Sequence, residues 1–297
     1  MIAVADLHLR YTIPRCRGES QQEWLDHQRY RLREIVQTAN TKGMHVLIAG
    51  DIFHTAIVPV EIINMFIEEF SKAHLAPFIM PGNHDLRYRD TSLKDTAYEV
   101  LDTLCDAGIF DRIQDTYAEV LYGADHAIGV VNDDLVAIHT LTFESEKKVP
   151  YGVKEFETSE SLFKKYSHKY LIVGDMHRPF IAKKGERILI NCGSLTVQNK
   201  NEAEYEHGYT ILDEEDGIAT FVPFTDKCII VKDNKLLIEE ARDGRINAFV
   251  EELKAKSEGI SLDYVENLKN KLTSADVNDK VKERVSGYIN TVKEGMK

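Results

Sequence analysis

The 297-residue chain has no long hydrophobic run and few cysteines. Its apolar runs, such as Val46–Ala49, fall far short of the roughly 20 residues that a membrane-spanning helix needs. No charged and then apolar leader precedes the first strand-like run, so we expect neither a secretory signal nor a membrane partner. The four cysteines are widely spaced and include no Cys-x-x-Cys pair. This spacing disfavours a disulfide scaffold or a zinc ribbon, and it favours a reducing cytoplasm.

Basic residues are also scarce relative to acidic ones. The chain has 37 Lys and Arg against 49 Asp and Glu, which gives a formal net charge of −12. Taken alone, this balance argues against a nucleic-acid-binding protein, because contacts to phosphates require Lys and Arg. Several of the 11 histidines stand beside carboxylates, a pairing that is as typical of a metal site as of a solvated surface.

Short apolar runs alternate with amphipathic stretches over residues 1–225, which predicts an α/β protein with strands and helices stacked in layers. The third amphipathic stretch has Ser92 as a plausible N-cap. Two apolar segments on either side of the acidic turn Glu214–Asp216 predict a hairpin. The predicted strands are Ile2–Ala5, Val46–Ala49, Pro77–Met80, Leu135–Ile138, Tyr170–Val173, Ile188–Asn191, Gly208–Asp213 and Gly217–Phe224, and the predicted helices are Gln21–Asn40, Glu61–Ala73 and Ser92–Ala107.

The pattern changes after residue 225. A second hairpin, Cys228–Val231 with Leu236–Ile238, precedes three charged helices that each carry a narrow apolar stripe. Such a stripe suits contact with another helix, which belongs either to the parent domain or to a partner protein. We therefore predict two domains, residues 1–225 and a small C-terminal α+β extension over residues 226–297. The three predicted helices are Ile246–Lys256, Ser261–Leu272 and Val277–Lys293.

Five polar clusters each directly follow a predicted strand. In layered α/β proteins, ligands gather beyond the carboxyl ends of the strands, so these clusters are expected to converge in space. Singly, most of them have plainer explanations: a chance Asp-x-His, a Gly-Asp turn, an ordinary strand-end histidine. In this order and at these strand ends, they together predict a metal site. The clusters are Asp6-Leu7-His8, Gly50-Asp51-Ile52-Phe53-His54, Pro81-Gly82-Asn83-His84-Asp85, His139 and Gly174-Asp175-Met176-His177.

The residue types in these clusters suit two divalent metals. Asp6 and His8 alternate, so both side chains lie on one face of an extended segment. Asp51 has two carboxylate oxygens and can bridge two ions, and Asn83 adds an amide oxygen without charge. Mixed imidazole and carboxylate ligation favours Mn, Fe or Zn over Ca or Mg. Two such ions, about 3.5–4 Å apart, can activate a water and stabilise both the attacking and the leaving oxygen in phosphoester cleavage.

The ordered motifs resemble those of the calcineurin-like metallophosphoesterases. The late segment Gly174-Asp175-Met176-His177-Arg178-Pro179, followed by Asn191-Cys192-Gly193-Ser194, is similar to the "Gly-His-x-His-x-Pro … Pro-Gly-Ser" ending of the SbcD nuclease branch. That branch includes bacterial, phage and eukaryotic recombination nucleases. The resemblance covers about residues 1–225 and implies a four-layer α/β/β/α sandwich.

The resemblance also implies roles for the site residues. His84 would protonate the leaving oxygen or stabilise charge in the transition state, oriented by Asp85, and His54 would lie near the substrate phosphate. The family usually has a histidine at the position of Asp175, which we expect to remain a ligand while changing metal preference or weakening the second site. The implied ligands are Asp6, His8, Asp51 and His177 for the first metal, and Asp51, Asn83, His139 and Asp175 for the second.

By resemblance, the chain is a Mn²⁺-dependent DNA nuclease subunit, an exonuclease, an endonuclease or both, that acts in recombination, repair or replication. Mg²⁺, Fe²⁺ and Zn²⁺ are alternatives to Mn²⁺. The resemblance implies a homodimer that pairs with an SbcC-type coiled-coil ATPase in the cytoplasm of a bacterial cell or a phage-infected host. We expect phosphate contacts from five arginines, for which solvated loops are the plainer explanation: Arg10, Arg15, Arg17, Arg87 and Arg178.

Two other functions are consistent with the sequence. The net acidity slightly favours a phosphoesterase that acts on a small phosphorylated metabolite or a phosphoprotein, because no field that would steer DNA is evident. A catalytically weak scaffold subunit is the second alternative, and the intact His84 and Asp85 argue against it.

Overall fold

A computed structural model of the protein describes residues 1–87, 94–113 and 127–226. These residues belong to the first of the two units into which the chain divides, Met1–Val231. The predicted second hairpin and the three predicted C-terminal helices lie outside the described residues. The boundary between residues 225 and 226 and the nature of the extension therefore stay predictions.

The described residues form 13 strands and four α-helices, joined by short 3₁₀ turns. The helices are α1 (Gln21–Lys42), α2 (Val60–Phe70), α3 (Ala97–Asp106) and α4 (Ser159–Lys165). The strands are β1 (Ile2–Val4), β2 (Val46–Ala49), β3 (Phe78–Met80), β4 (Asp111–Arg112), β5 (Ala127–Val130), β6 (Leu135–His139), β7 (Thr142–Phe143), β8 (Glu157–Thr158), β9 (Tyr170–Gly174), β10 (Phe180–Lys184), β11 (Arg187–Asn191), β12 (Gly208–Asp213) and β13 (Ile218–Pro223).

The strands assemble into two larger sheets and one short pair. The first sheet has the order β13-β12-β1-β2-β3-β4, with β1 to β4 parallel and the hairpin β12-β13 antiparallel at one edge. The second sheet has the order β10-β11-β9-β6-β5, with β11, β9 and β6 parallel. Strands β7 and β8 form the short parallel pair. The predicted α/β class and the hairpin around Glu214–Asp216 are confirmed.

Successive side chains of the central strands point to opposite faces of each sheet and pack in different cores, which gives four layers. In β1, Ile2 and Val4 belong to the core under α1, α2 and α3, whereas Ala3 belongs to the core between the two sheets. In β6, Ala137 faces the core between the sheets, and Val136 packs in a third core with side chains of α4. Three cores between four layers give the α/β/β/α sandwich that the resemblance implied.

Local signals explain where α1 begins and ends. Ser20 accepts a hydrogen bond from the backbone N–H of Glu23, and the Glu23 carboxylate accepts one from the Ser20 N–H, which is a capping box. Gly43 ends the helix with φ of 63°, a left-handed conformation that glycine adopts without steric cost. No described helix is both long and apolar enough to cross a membrane, and none of the three described cysteines forms a disulfide.

The predicted start of the third helix is wrong. The helix α3 begins at Ala97, and its N-cap is Thr96, whose side chain accepts from the backbone N–H of Glu99. Asp95 has φ of 57°, so the chain there lies outside the right-handed helical region and cannot extend the helix towards its start at Ser92. Ser92 itself lies outside the described residues.

Candidate metal centre

The loops after five strands meet at one end of the sandwich. The backbone N–H of Asp6 donates to the carbonyl oxygen of Gly50 at 3.1 Å, and that of His8 donates to Asp51 at 3.0 Å. The Asp6 carboxylate in turn accepts from the backbone N–H of Asp175, at 3.0 and 2.9 Å to its two oxygens. These bonds join the first, second and fifth clusters, so the clusters converge as the strand ends predicted.

Asp51 lies between two sets of candidate ligands. Its Oδ2 is 3.6 Å from Nε2 of His8, and its Oδ1 is 3.3 Å from Nε2 of His139. Nε2 of His8 also lies 3.0 Å from Nε2 of His177. Ligand atoms of Asp6, His8 and His177 all fall within 4.8 Å of one another, as do those of Asp6, Asp51 and His139. The carboxylate of Asp51 is therefore placed to serve both sets.

Two other side chains complete the second set around Asp51 and His139. Nε2 of His139 is 3.1 Å from Oδ1 of Asn83 and 4.0 Å from Oδ1 of Asp175. Asp175, which stands where the family usually has histidine, thus brings its carboxylate to the same place. Carboxylates, imidazoles and one amide oxygen form a donor set that fits divalent ions of the Mn, Fe or Zn kind. Whether Asp175 binds an ion stays a prediction.

Hydrogen bonds from the ring edge orient two of the histidines. Nδ1 of His139 lies 2.8 Å from the carbonyl oxygen of Ala49, and Nδ1 of His177 lies 2.6 Å from the carboxylate of Glu202. Because both partners only accept, Nδ1 carries a proton in each ring, so loss of the proton from Nε2 would leave a lone pair that faces the cluster. An imidazole held in this way is ready to bind a metal.

Glu202 is a residue of the candidate site that the sequence did not reveal. It belongs to a 3₁₀ turn, Lys200–Glu204, and is only 3% exposed. Besides His177, its carboxylate accepts from the backbone N–H of Gln198 at 2.7 Å and from the side-chain amide of Asn199. No motif marks Glu202, and 25 positions separate it from His177, so only the fold shows that the two meet.

Charges within the cluster strongly perturb one another. Burial raises the pKa of Asp6 to about 7. Burial alone would also raise the pKa of Asp51, but the attraction of His139 outweighs it and holds that pKa well below its usual range. For His139, burial favours the neutral ring, yet the charge of Asp51 outweighs this and raises its pKa well above the usual value. Bound cations would stabilise the ionised carboxylates of Asp6 and Asp51 in this buried cluster.

The backbone at the predicted ligands is strained. Five described non-glycine residues have positive φ, and all but Asp95 are predicted ligands. Such angles are uncommon outside glycine and cost about 1–3 kcal/mol each, and they cluster at functional sites. The four ligands are Asp6 at 49°, His8 at 42°, Asp51 at 50° and Asp175 at 88°.

Two glycines allow these loops to approach closely. A Cβ at Gly82 would overlap the carboxylate and the backbone nitrogen of Asp51. A Cβ at Gly50, whose φ is 90°, would overlap the imidazole of His139. The residues before Asp51 and Asn83 are glycine because any side chain there would fill the space in which the ligands meet.

The structure contradicts the expected role of Asp85. Nδ1 of His84 donates to the carbonyl oxygen of His54 at 2.8 Å, so it is His54 that orients the His84 ring. The fully buried carboxylate of Asp85 instead accepts from three backbone N–H groups, those of Ile52 at 3.1 Å, Phe53 at 2.8 Å and Gly82 at 2.9 Å. Asp85 therefore ties the loop after β3 to the loop after β2.

His54 lies beside the cluster and is paired with Arg10. Nη1 of Arg10 donates to Nε2 of His54 at 2.9 Å, which leaves the imidazole proton of His54 on Nδ1. This Nδ1 is buried and has no hydrogen-bond partner among the described residues. Ligand atoms of His8, His54 and His84 form a third group within 4.8 Å. All three histidines thus line one edge of the centre.

The five arginines that were expected to contact phosphate differ in how exposed they are. The expected phosphate contact of Arg17 is wrong. This residue is 5% exposed, forms an ion pair with Glu19, and lies 4.9 Å from the centre of the Trp24 ring. It therefore stabilises the loop and is not available to a ligand. Arg15, Arg87 and Arg178 are exposed.

Comparison with known proteins identifies one family. The family model of calcineurin-like phosphoesterases matches residues 1–187. Similar solved structures include an archaeal phosphodiesterase (TM-score 0.42, 16% identity, covering 75% of this chain and 98% of that chain). Others are Vps29 with Zn²⁺ from Entamoeba histolytica (0.36, 14%, 77% and 97%) and a metallophosphoesterase from Sphaerobacter thermophilus (0.37, 15%, 81% and 93%). At these scores the three structures carry no argument about this chain. No curated protein matches the chain.

Proposed function

The chain belongs to the calcineurin-like phosphoesterase family, and from this premise we propose that it is a Mn²⁺-dependent DNA nuclease subunit. The observation that carries the proposal is the pair of ligand sets on either side of Asp51. Two divalent ions bound there would activate a water and neutralise the charge that develops on a phosphodiester. Asp6, His8, Asp51 and His177 would hold the first ion, and Asp51, Asn83, His139 and Asp175 the second.

His84 is the residue that we assign to proton transfer. Its Nδ1–H is engaged by the carbonyl oxygen of His54, and its backbone N–H donates to Asp51 at 2.9 Å. Nε2 is therefore the nitrogen that exchanges a proton with substrate, and the half-buried ring keeps access to solvent. A protonated Nε2 would donate to the leaving oxygen as the phosphodiester bond breaks.

Arg10 and His54 form the part of the site that we assign to phosphate binding. The guanidinium of Arg10 is half-buried beside the centre and bonds the His54 ring, and phosphate oxygens accept from such charged donors. The exposed Arg15, Arg87 and Arg178 are the candidates for contacts to phosphates further along a strand.

The net charge of −12 shapes the expected mode of DNA binding. Bound divalent ions reverse the local field at the centre, but the remaining acidity disfavours strong binding by the chain alone. We propose that a second copy of the chain and an SbcC-type coiled-coil ATPase in the same cytoplasm supply much of the affinity for DNA, with residues 226–297 as the place of contact. The isolated chain should bind DNA weakly and in a salt-sensitive way.

A phosphoesterase for a small phosphorylated metabolite or a phosphoprotein is the second candidate, and the same net acidity favours it. The test is cleavage of single-stranded, duplex and hairpin DNA with Mn²⁺ or Mg²⁺, beside nitrophenyl phosphate mono- and diesters, with and without a candidate ATPase. Asp51→Asn serves as the inactive control, since it removes charge from both ligand sets. We expect Mn²⁺-dependent DNA cleavage. Turnover of monoesters without DNA cleavage would favour the second candidate, and tight DNA binding by the chain alone at high salt would contradict the charge argument.

A further inference from the structure

The loop after β11 lies against two of the predicted metal ligands. The backbone N–H of Ser194 donates to the carbonyl oxygen of His177 at 3.1 Å, and the next N–H, that of Leu195, donates to the carbonyl oxygen of Asp6 at 3.0 Å. Gly193 has φ of 73°, and a Cβ there would lie 2.9 Å from the carbonyl oxygen of His177. Glycine therefore lets the loop approach that ligand closely. The position of this loop helps to fix two ligands of the first metal.

Arg31 of α1 holds the loop in place. Its guanidinium donates to the carbonyl oxygen of Leu195, the residue whose own N–H bonds Asp6. Arg31 and Leu195 are each only 2% exposed, so water does not compete for this bond. Hydrogen bonds from charged donors are roughly twice as strong as those between neutral groups. One residue of backbone thus joins a buried cation to the backbone of a metal ligand.

Asp226, the last described residue, balances the charge of Arg31. Nε of Arg31 donates to Oδ1 of Asp226 at 2.9 Å, and Oδ2 of Asp226 lies 2.8 Å from Nδ1 of His27. Burial alone would raise the pKa of Asp226, but the hydrogen bond with His27 and the charge of Arg31 outweigh it and lower that pKa. Removing one partner of a buried ion pair leaves the other charge uncompensated, which is costly. Loss of the Asp226 carboxylate would therefore disturb the Arg31 guanidinium.

The residue before Asp226 is fixed to the same helix. The Thr225 hydroxyl donates to the Glu34 carboxylate at 3.1 Å, and it lies 3.0 Å from the Tyr30 hydroxyl. These contacts, together with those of Asp226, attach the start of the predicted C-terminal region, residues 226–297, to α1. The helix that holds the loop after β11 is thus the helix from which this region departs.

We propose that Arg31 is a positioning residue for the first metal ion and that Asp226 sets its position, so that the start of the C-terminal region controls the affinity for that ion. The proposal rests on the two-ion centre of the proposed function and adds a form of regulation to it. The loop bonds Asp6 and His177, which are assigned to the first ion alone, so the effect should be confined to that ion. A partner that binds residues 226–297 and displaces Asp226 would change the loading of the centre.

Calorimetric titration of the full-length, metal-free protein with Mn²⁺ tests the proposal. Asp226→Ala removes the carboxylate, whereas Asp226→Asn keeps an oxygen that can accept from Nε of Arg31. Asp216→Ala makes the same truncation at an exposed position of the turn between β12 and β13. We expect Asp226→Ala to lower the affinity of one Mn²⁺ site about 2- to 30-fold. Asp226→Asn should restore most of that loss, and Asp216→Ala should have no effect.

Asp175→Asn identifies which site is affected. This variant is expected to weaken the second site, so Asp226→Ala should weaken the other one, and the double variant should show both losses. Equal weakening of both sites by Asp226→Ala, or an affinity indistinguishable from that of the wild type, would overturn the proposal. If Asp226→Ala fails to fold in urea unfolding measurements, Arg31→Lys gives the same test, because lysine keeps the buried charge but lacks the planar fork that reaches both Leu195 and Asp226.

Cleavage of DNA and of a nitrophenyl phosphodiester is measured separately from metal binding. Two bound Mn²⁺ ions, one of them weakened by Asp226→Ala, in a wild-type chain that cleaves no DNA would reject the proposed function and keep the role of Arg31. Normal DNA cleavage by the wild type, with unchanged Mn²⁺ affinity in folded Asp226→Ala, would reject the role of Arg31 and keep the proposed function.

Discussion

Replacing Glu202 by glutamine should weaken metal binding without touching any metal ligand. One carboxylate oxygen accepts from His177 at 2.6 Å and from Asn199, and the other accepts from the Gln198 N–H at 2.7 Å. An amide nitrogen placed at either position would face a donor, so the variant loses both the charge and a hydrogen bond. Loss of such an outer partner of a ligating histidine typically lowers metal affinity about 10–100-fold, which corresponds to roughly 1.4–2.8 kcal/mol.

Calorimetric titration of the metal-free protein with Mn²⁺ measures this effect directly. Glu215→Gln is the matched control, because Glu215 is exposed in the turn between β12 and β13, away from the ligands. Urea unfolding of both metal-free variants separates a local effect on His177 from a loss of fold. An affinity of folded Glu202→Gln within twofold of the wild type would refute the reasoning that Glu202 prepares His177 for the metal.

Three further substitutions test other parts of the structure. His84→Ala should keep both metals and lower phosphodiester hydrolysis about 10²–10⁴-fold, and unchanged turnover would rule out its role in proton transfer. Asp175→Asn, which tolerates the positive φ, should weaken one of two Mn²⁺ sites in a calorimetric titration, whereas equal weakening of both would contradict the assignment. Glu69→Gln should destabilise the protein by about 1–3 kcal/mol in urea unfolding at pH 7, because the buried carboxylate bonds Arg33 and Lys72. Burial alone would raise the pKa of Glu69, but those hydrogen bonds outweigh it and lower the pKa to about 2. The difference in unfolding free energy between the wild type and Glu69→Gln should therefore persist above pH 4.5 and shrink as the pH falls towards 2. A difference that is independent of pH would contradict this prediction.

The sequence predicted the buried strands well because each one is a continuous apolar run that ends in a polar cluster. Val46–Ala49 matches β2 fully, and Tyr170–Val173 matches β9 but for its last residue. The edge strand β10 was missed, since half-exposed positions and two lysines weaken its apolar signal. The helix α4 was missed because its seven residues are too few to show a clear period.

Sequence motifs predicted some features of the site, and only the packed structure shows the others. Motif order at strand ends was enough to predict that Asp6, Asp51 and His177 would gather, because parallel strands place their carboxyl ends at one edge of the sheet. It could not show the direction of a side chain, so Asp85 was assigned to His84 and Arg17 to a phosphate. Asp85 bonds the backbone of the distant loop after β2, which no short motif encodes. Arg17 pairs with the nearby Glu19, and only the packed structure shows that this pair is buried.

The positive φ angles of Asp6, His8, Asp51 and Asp175 make the stability of the domain depend on the concentration of free metal ions. The strained loops at one end of the sandwich lower the stability of the metal-free protein, and ions that bind only the folded form would offset that loss. Each tenfold increase of free metal above the dissociation constant adds about 1.4 kcal/mol per ion to the free energy of unfolding. Resistance to heat and to proteolysis should therefore report how fully the centre is loaded, and chelation should expose the loops after β1 and β2 to proteases first.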